Sequence, residues 1–249
     1  MSFTGRFTER ADAYAAGRPS YPPAAIDVLL EGLGDPADVV VADLGAGTGI
    51  SARLLAERGA QVFAIEPNDA MRAAAEPHPR VEWVAASAEH TGLDEASADL
   101  VTAFQAFHWF DARAALDEIV RILRPGGRAA VIYNERDERD PFTAAYGEIV
   151  RTYQTDETER GRADGLETFA AFEAWKEKRR TEVRNEHEID LDGLLARARS
   201  TSYLPHEGPA AEALERAVRD LAQRFARDGR MLMVMRTIVL ACDIGTAGG

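Results

Sequence analysis

Three stretches of this chain hold residues whose types and spacing could do chemistry. In VADLGAGTGI (41–50), Asp43 stands two residues before Gly45, and Ala46, Gly47 and Gly49 follow. A glycine turn between a strand and a helix presents backbone N–H groups and a helix N-terminus to a ligand. Glu66 lies about 20 residues further on, at the end of the next apolar run, where a carboxylate can accept hydrogen bonds from ribose hydroxyls. His108 sits in QAFHWF (105–110), an apolar loop where desolvation favours neutral imidazole, a form able to take a proton.

The glycine spacing narrows the ligand. A dinucleotide turn reads G-x-G-x-x-G, its third glycine letting the helix pack closely on the strand. Here Ile50 occupies that third place. Asp43 at the end of the strand would repel a pyrophosphate and suits a positive group such as the ammonium of an amino acid. Together these features favour a ribose-bearing ligand with an amino-acid tail and no diphosphate. Two other classes stay open: an NAD-dependent oxidoreductase, which Asp43 and Ile50 disfavour, and a cofactor-binding protein without catalysis.

The elements that must hold these residues follow from periodicity. Residues 38–133 alternate strand and helix signals with short joints, the pattern of βαβ units around a parallel sheet. VVVADL (39–44), QVFAIE (61–66), VEWVAA (81–86), ADLVTAF (98–104) and RAAVIYN (128–134) read as strands. Asp111 can cap a helix whose apolar residues Leu116, Ile119, Val120 and Leu123 keep a 3.6-residue period. Residues 141–178 read as one long helical stretch with Phe142, Tyr146, Phe169 and Trp175 at roughly helical spacing. TEVRNEHEIDL (181–191) fits an exposed edge strand, 191–200 and 209–227 read as helices, and 230–242 as a final strand. The fold expected is α/β: a doubly wound, Rossmann-like, mostly parallel sheet with an antiparallel final strand and a helical cap. Its parts are an N-terminal helical lid (1–38), a cofactor-binding core (39–134), and a cap with C-terminal strands completing the sheet (135–249).

Composition removes other classes. The chain has 249 residues, 46% of them hydrophobic, and a formal net charge of −13. Such acidity argues against nucleic acid or an anionic membrane as a partner. Cys242 is the single cysteine and the five histidines lack ligand spacing, so no metal is expected. The start MSFTGRFTER is too polar for a signal peptide, and MLMVMRTIVLAC is broken by Arg236 and too short to span a bilayer. A cytoplasmic monomer or homodimer is the expectation.

On VADLGAGTGI, AIEPNDAM, ASAEHTGL, ADLVTAFQAFHWF and EIVRILRPGGRAAVIYN, the chain resembles class I S-adenosylmethionine-dependent methyltransferases. FTERADAYAAGRPSYP, AFHWFD and RARSTSYLP make it similar to a small-molecule branch that includes trans-aconitate methyltransferase-like proteins. The resemblance implies S-adenosylmethionine as cofactor, S-adenosylhomocysteine as product and a small-molecule acceptor. The reading favours an oxygen of a carboxylate or hydroxyl over sulfur or nitrogen, with methyl transfer by in-line displacement.

By position, the resemblance implies that Asp43, Gly45, Ala46, Gly47 and Gly49 line the methionine and ribose portion and that Glu66 holds the ribose. Pro67 and Met71 would pack near the adenine, with Ser87, Ala88 and Glu89 at its edge; many relatives carry Asp where Ser87 stands. Gln105, Ala106, Phe107 and His108 would face the methyl group, His108 being the candidate base. Tyr14 and Arg18 belong to the N-terminal motif, where Arg18 could pair with the cofactor carboxylate. Phe107, Trp109, Tyr146 and Tyr203 are the expected substrate-pocket residues.

Overall fold

The computed structural model describes residues 20–155, 158–201 and 203–245. Strands β1 (Val40–Leu44), β2 (Gln61–Ile65), β3 (Val81–Val84), β4 (Ala98–Phe104), β5 (Leu123–Arg136), β6 (Trp175–Asp190) and β7 (Arg230–Ile244) form one sheet, ordered β3-β2-β1-β4-β5-β7-β6. Strands β1 to β5 pair in parallel. Strand β7 runs antiparallel to both neighbours, so β6 at the edge points the same way as β5. The chain reverses its direction of travel across the sheet between β1 and β4, the switch point where doubly wound sheets bind ligands beyond their carboxyl ends.

Period-two side-chain alternation builds a core on each face of the sheet. On one face Leu100, Ala130 and Ile132 meet helix α1 (Pro23–Leu30) through Ile26 and Leu29, and helix α2 (Ile50–Glu57) through Ala52 and Leu55. On the other, Val101, Ala103, Val131 and Tyr133 meet helix α4 (Ala112–Ile122) through Leu116 and Ile119. Asp111 caps α4 as its sequence suggested, accepting from Ala114 N at 3.1 Å. The short helix α3 (Asp69–Ala73) follows β2.

One expectation changes. Residues 141–178 are not one helical stretch: α5 (Pro141–Tyr153) and α6 (Thr158–Ala171) are separate, and β6 already begins at Trp175. There Trp175 packs 5.2 Å from Phe169, donates its indole N–H to Phe169 O at 2.7 Å, and pairs with Ile244 of β7. A buried ring and a ladder partner outweigh local helix propensity. Residues 20–38, the described part of the segment expected as a lid, pack on the sheet. Helix α1 buries one face, Ala25, Ile26, Leu29 and Leu30, in the core, Tyr21 packs edge-on to Phe104 at 4.7 Å, and buried Arg128 donates to Leu29 O and Glu31 O. The remainder of the segment expected as a lid lies outside the described residues.

The cap has its own core. Strands β6 and β7 outrun β5, whose pairing with β7 reaches Met235. Met231 and Met233 on this overhang, with Met235 where it begins, pack with α5, α7 (Leu191–Ser200) and α8 (Gly208–Phe225) through Phe142, Leu194 and Val218. Among the described residues, no helix is long and apolar enough to cross a membrane.

Candidate cofactor and acceptor site

The loops after β1, β2, β3 and β4 close around a cavity of about 230 Å³ at the carboxyl edge of the sheet. Its walls include Gly45, Gly47, Glu66, Pro67, Met71, Ser87, Ala88, Glu89, Gln105, Ala106 and Trp109, all read from the sequence as site residues. Asn68, Phe104 and Phe110 also line it and were not. Asn68 had a local signal: it caps α3, accepting from Ala70 N and Met71 N, directly after the Glu66–Pro67 turn.

The turn is held by backbone geometry and one carboxylate. Gly45, Gly47 and Gly49 all adopt positive φ, at 65°, 59° and 79°, a region that side chains other than glycine enter at a cost. A Cβ on Gly45 would lie 2.8 Å from Ala106 Cβ and 3.2 Å from the Phe110 ring, so the glycine also keeps the cavity floor open. Glu66 accepts from Gly47 N and Asn68 N, each at 2.9 Å, and so ties the turn to the end of β2. Burial raises the Glu66 pKa above its usual value, against the pull of those two N–H groups and of the Arg72 charge. Each Glu66 oxygen keeps a second lone pair for another donor.

Asp43 sits behind the turn. It is fully buried, accepts from Ser51 Oγ at 2.6 Å and Thr102 Oγ1 at 2.8 Å, and is not part of the cavity wall. Burial pushes its carboxyl up to about 6, opposed by the two hydroxyl bonds and helped slightly by the Glu66 charge. Its two oxygens thus brace β1 against α2 and β4. Gly49 is the N-cap of α2 and faces Trp83, while Ala46 is buried with its N–H on Ile65 O.

Beyond β4, Gln105 takes a positive φ of 53° and donates through Nε2 to Asn134 O at 3.2 Å. Its Oε1 is enclosed without a hydrogen-bond partner among the described residues. Phe107 is not at the cavity: it is 1% exposed and packs on Phe169 and Phe110. His108 is likewise absent from this wall and turns toward β5. The Tyr133 hydroxyl accepts from His108 N at 3.2 Å and stands 3.3 Å from Nδ1. Burial lifts the Tyr133 phenol to about 12, so it stays protonated. Helix α6 covers this turn, with Gly165 against the His108 backbone.

Tyr146 and Tyr203, expected in a substrate pocket, are buried in the cap core. Both are large amphipathic rings, and packing between α5, α7 and α8 takes them. Tyr14 and Arg18 lie outside the described residues.

A second cavity, about 220 Å³, opens at the end of β5 between α5 and α6. Tyr133, Asn134, Glu135, Arg136, Glu138, Arg151 and Arg162 line it. The two cavities share a partition. Gln105 of the first bonds Asn134 of the second, and Trp109 of the first stacks 4.4 Å from His108, which meets Tyr133 of the second.

A switch-point cavity with a glycine turn, a carboxylate after β2 and an antiparallel β7 define a class I methyltransferase fold, and comparison with known proteins agrees. Residues 42–131 match the family model described as a methyltransferase domain. The chain therefore carries a methyltransferase domain over these residues and shares the fold of class I methyltransferases. It is 44% identical over 148 residues to an uncharacterized methyltransferase of Mycobacterium tuberculosis, covering 58% of each chain, so it spans under two thirds of that relative. A solved structure from Anaeromyxobacter dehalogenans, provisionally assigned as a type II methyltransferase, superposes with TM-score 0.72 at 28% identity. That match covers 92% of this chain and 99% of the other. The fold is also that of Haemonchus contortus phosphoethanolamine N-methyltransferase 2, solved with S-adenosylhomocysteine: TM-score 0.52, 18% identity, 98% of this chain and 57% of that one.

Proposed function

We propose that this protein transfers a methyl group from S-adenosylmethionine to an oxygen of a small-molecule acceptor, a carboxylate ahead of a hydroxyl. The observation that carries the reading is the cavity at the switch point, with Glu66 and the glycine turn on its wall. The residues present fit the cofactor. Glu66 has lone pairs to spare for ribose hydroxyls, Gln105 Oε1 awaits a donor such as an ammonium, and Gly45 leaves the floor clear. Met71 and Pro67 offer an apolar face to a purine. The complex of the Haemonchus neighbour with S-adenosylhomocysteine supports the same assignment.

When bound, the cofactor supplies a methyl group already activated on a sulfonium. This chain's residues then have to align the acceptor and exclude water. Phe104, Ala106, Trp109 and Phe110 form the apolar walls that do the excluding. His108, turned to Tyr133, orients the partition; a carboxylate acceptor gives it no proton to take. The likeness to the small-molecule branch supports the size of acceptor, and the acidic chain supports a partner other than nucleic acid.

Calorimetry tests the cofactor assignment. S-adenosylhomocysteine should bind in the micromolar range, about −7 to −8 kcal/mol, and NAD should give no heat. Glu66→Ala should weaken binding by tenfold or more, on the order of the 1.5–3 kcal/mol of a charged hydrogen bond. Equal affinity in wild type and variant would remove the ribose assignment.

A further inference from the structure

The second cavity has a chemistry that the cofactor does not require. Three guanidinium groups and two carboxylates line it. Both carboxylates already have an arginine: Glu135 meets Arg236 at 3.1 Å, and Glu138 meets Arg151. Those two arginines are shared outward with Glu182 and Glu148, which are 42% and 74% exposed. Arg162 is different. Among the described residues it makes no ion pair or hydrogen bond, and its Nε is enclosed without a partner. Its guanidinium carbon lies 5.7 Å from the centre of the Tyr203 ring.

Arg162 is half-buried, with its Nε shielded from water and no anion beside it, and the forked donors of a guanidinium match an oxyanion such as carboxylate or phosphate. Around it the wall offers the Tyr133 hydroxyl, still protonated, and the amide of Asn134. Position gives the cavity its use. It lies across the Gln105–Asn134 and His108–Tyr133 partition from the first cavity, so a molecule reaching past that partition could place one end near each.

We propose that this cavity is an oxyanion site anchoring an acidic group of the acceptor through Arg162, while a different oxygen of the same acceptor receives the methyl group. The proposal rests on the first cavity being the cofactor site. It separates two tasks that conflict in one group, because a carboxylate clamped by guanidinium is a poorer nucleophile. Helix α6 carries Arg162 and also packs on the His108 turn through Gly165, so the anion site and that turn are held by the same element.

Titration of the protein with succinate, with inorganic phosphate and with neutral dimethyl succinate tests this, each with and without S-adenosylhomocysteine. Succinate or phosphate should bind the wild type and dimethyl succinate should not. Arg162→Gln should weaken anion binding by about tenfold or more, the scale of a lost charge-assisted hydrogen bond. Arg162→Lys should keep part of it. S-adenosylhomocysteine affinity and melting temperature should stay unchanged in both variants. Succinate binding alone marks the acidic group as a carboxylate; phosphate binding alone marks it as a phosphate. Anion binding that is equal in wild type and Arg162→Gln, or absent from the wild type up to about 50 mM, far above ordinary ligand affinities, overturns the site. Failure of S-adenosylhomocysteine to bind while succinate still binds through Arg162 would strike the cofactor reading instead.

Discussion

Replacing Gly45 with alanine puts the glycine turn under a quantitative test. The backbone there has φ of 65°, and forcing an L-residue into the left-handed region costs about 1–2 kcal/mol. The new Cβ would sit 2.8 Å from Ala106 Cβ, an atom fixed to its own backbone, and 3.2 Å from the Phe110 ring. Overpacking of this kind costs about 1–3 kcal/mol. Reduced freedom of the unfolded chain returns about 0.4–1 kcal/mol, leaving a net loss of roughly 2–4 kcal/mol. For a chain of this length each kcal/mol lowers Tm by about 2–4 °C, so a fall of roughly 5–15 °C is expected. Gly32→Ala is the control: its φ is 79° and no atom lies within 4 Å of the new methyl. It should lose only about 1 kcal/mol. Because Ala106 and Phe110 form the cavity wall, Gly45→Ala should also weaken S-adenosylhomocysteine at least about tenfold, the effect of some 1.4 kcal/mol, while Gly32→Ala should not. Thermal unfolding and calorimetry on the two variants read both effects. If Gly45→Ala matched Gly32→Ala in Tm and affinity, the close packing under the turn would not be what shapes the site.

Two further expectations concern titratable groups. The Asp43 carboxyl, raised by burial from 3.8 to about 6, binds its proton more tightly in the folded than in the unfolded state. Its stabilising contribution is complete below about pH 3.8 and is lost as pH rises to about 6, an effect on the order of 3 kcal/mol for two pKa units. Asp43→Asn can still bond the Ser51 and Thr102 hydroxyls, which both donate and accept, so it should flatten this slope; urea unfolding across pH 4–7 with equal slopes in both proteins would refute it. His108→Gln should cost less than about tenfold in kcat, against 10²-fold or more for loss of a general base. A base limb near pH 6–7 in the wild type, lost in the variant, would move the acceptor to a hydroxyl.

The parallel sheet, its strand order through the switch point and most of the first cavity were legible in the chain. That information is local: a strand followed by a glycine turn, a carboxylate closing the next strand, an N-cap such as Asp111. Each of these acts within a few residues, so its signal survives without the fold. What only the tertiary structure decided depends on partners far apart in sequence. Asp43 looked like a ligand for an ammonium, but Thr102, brought beside it by the β1–β4 pairing, and Ser51 on α2 make it a brace. Phe107 and Tyr146 have the right chemistry for a pocket wall, yet Phe169 and the α7–α8 pair bury them. His108 follows β4 as read, but its direction is set by Tyr133 on β5. The charge-rich stretch after β5 gave no hint that Arg162 would stand in a cavity beside Tyr133. Its helix packs on the His108 turn through Gly165, a contact with no counterpart in local spacing.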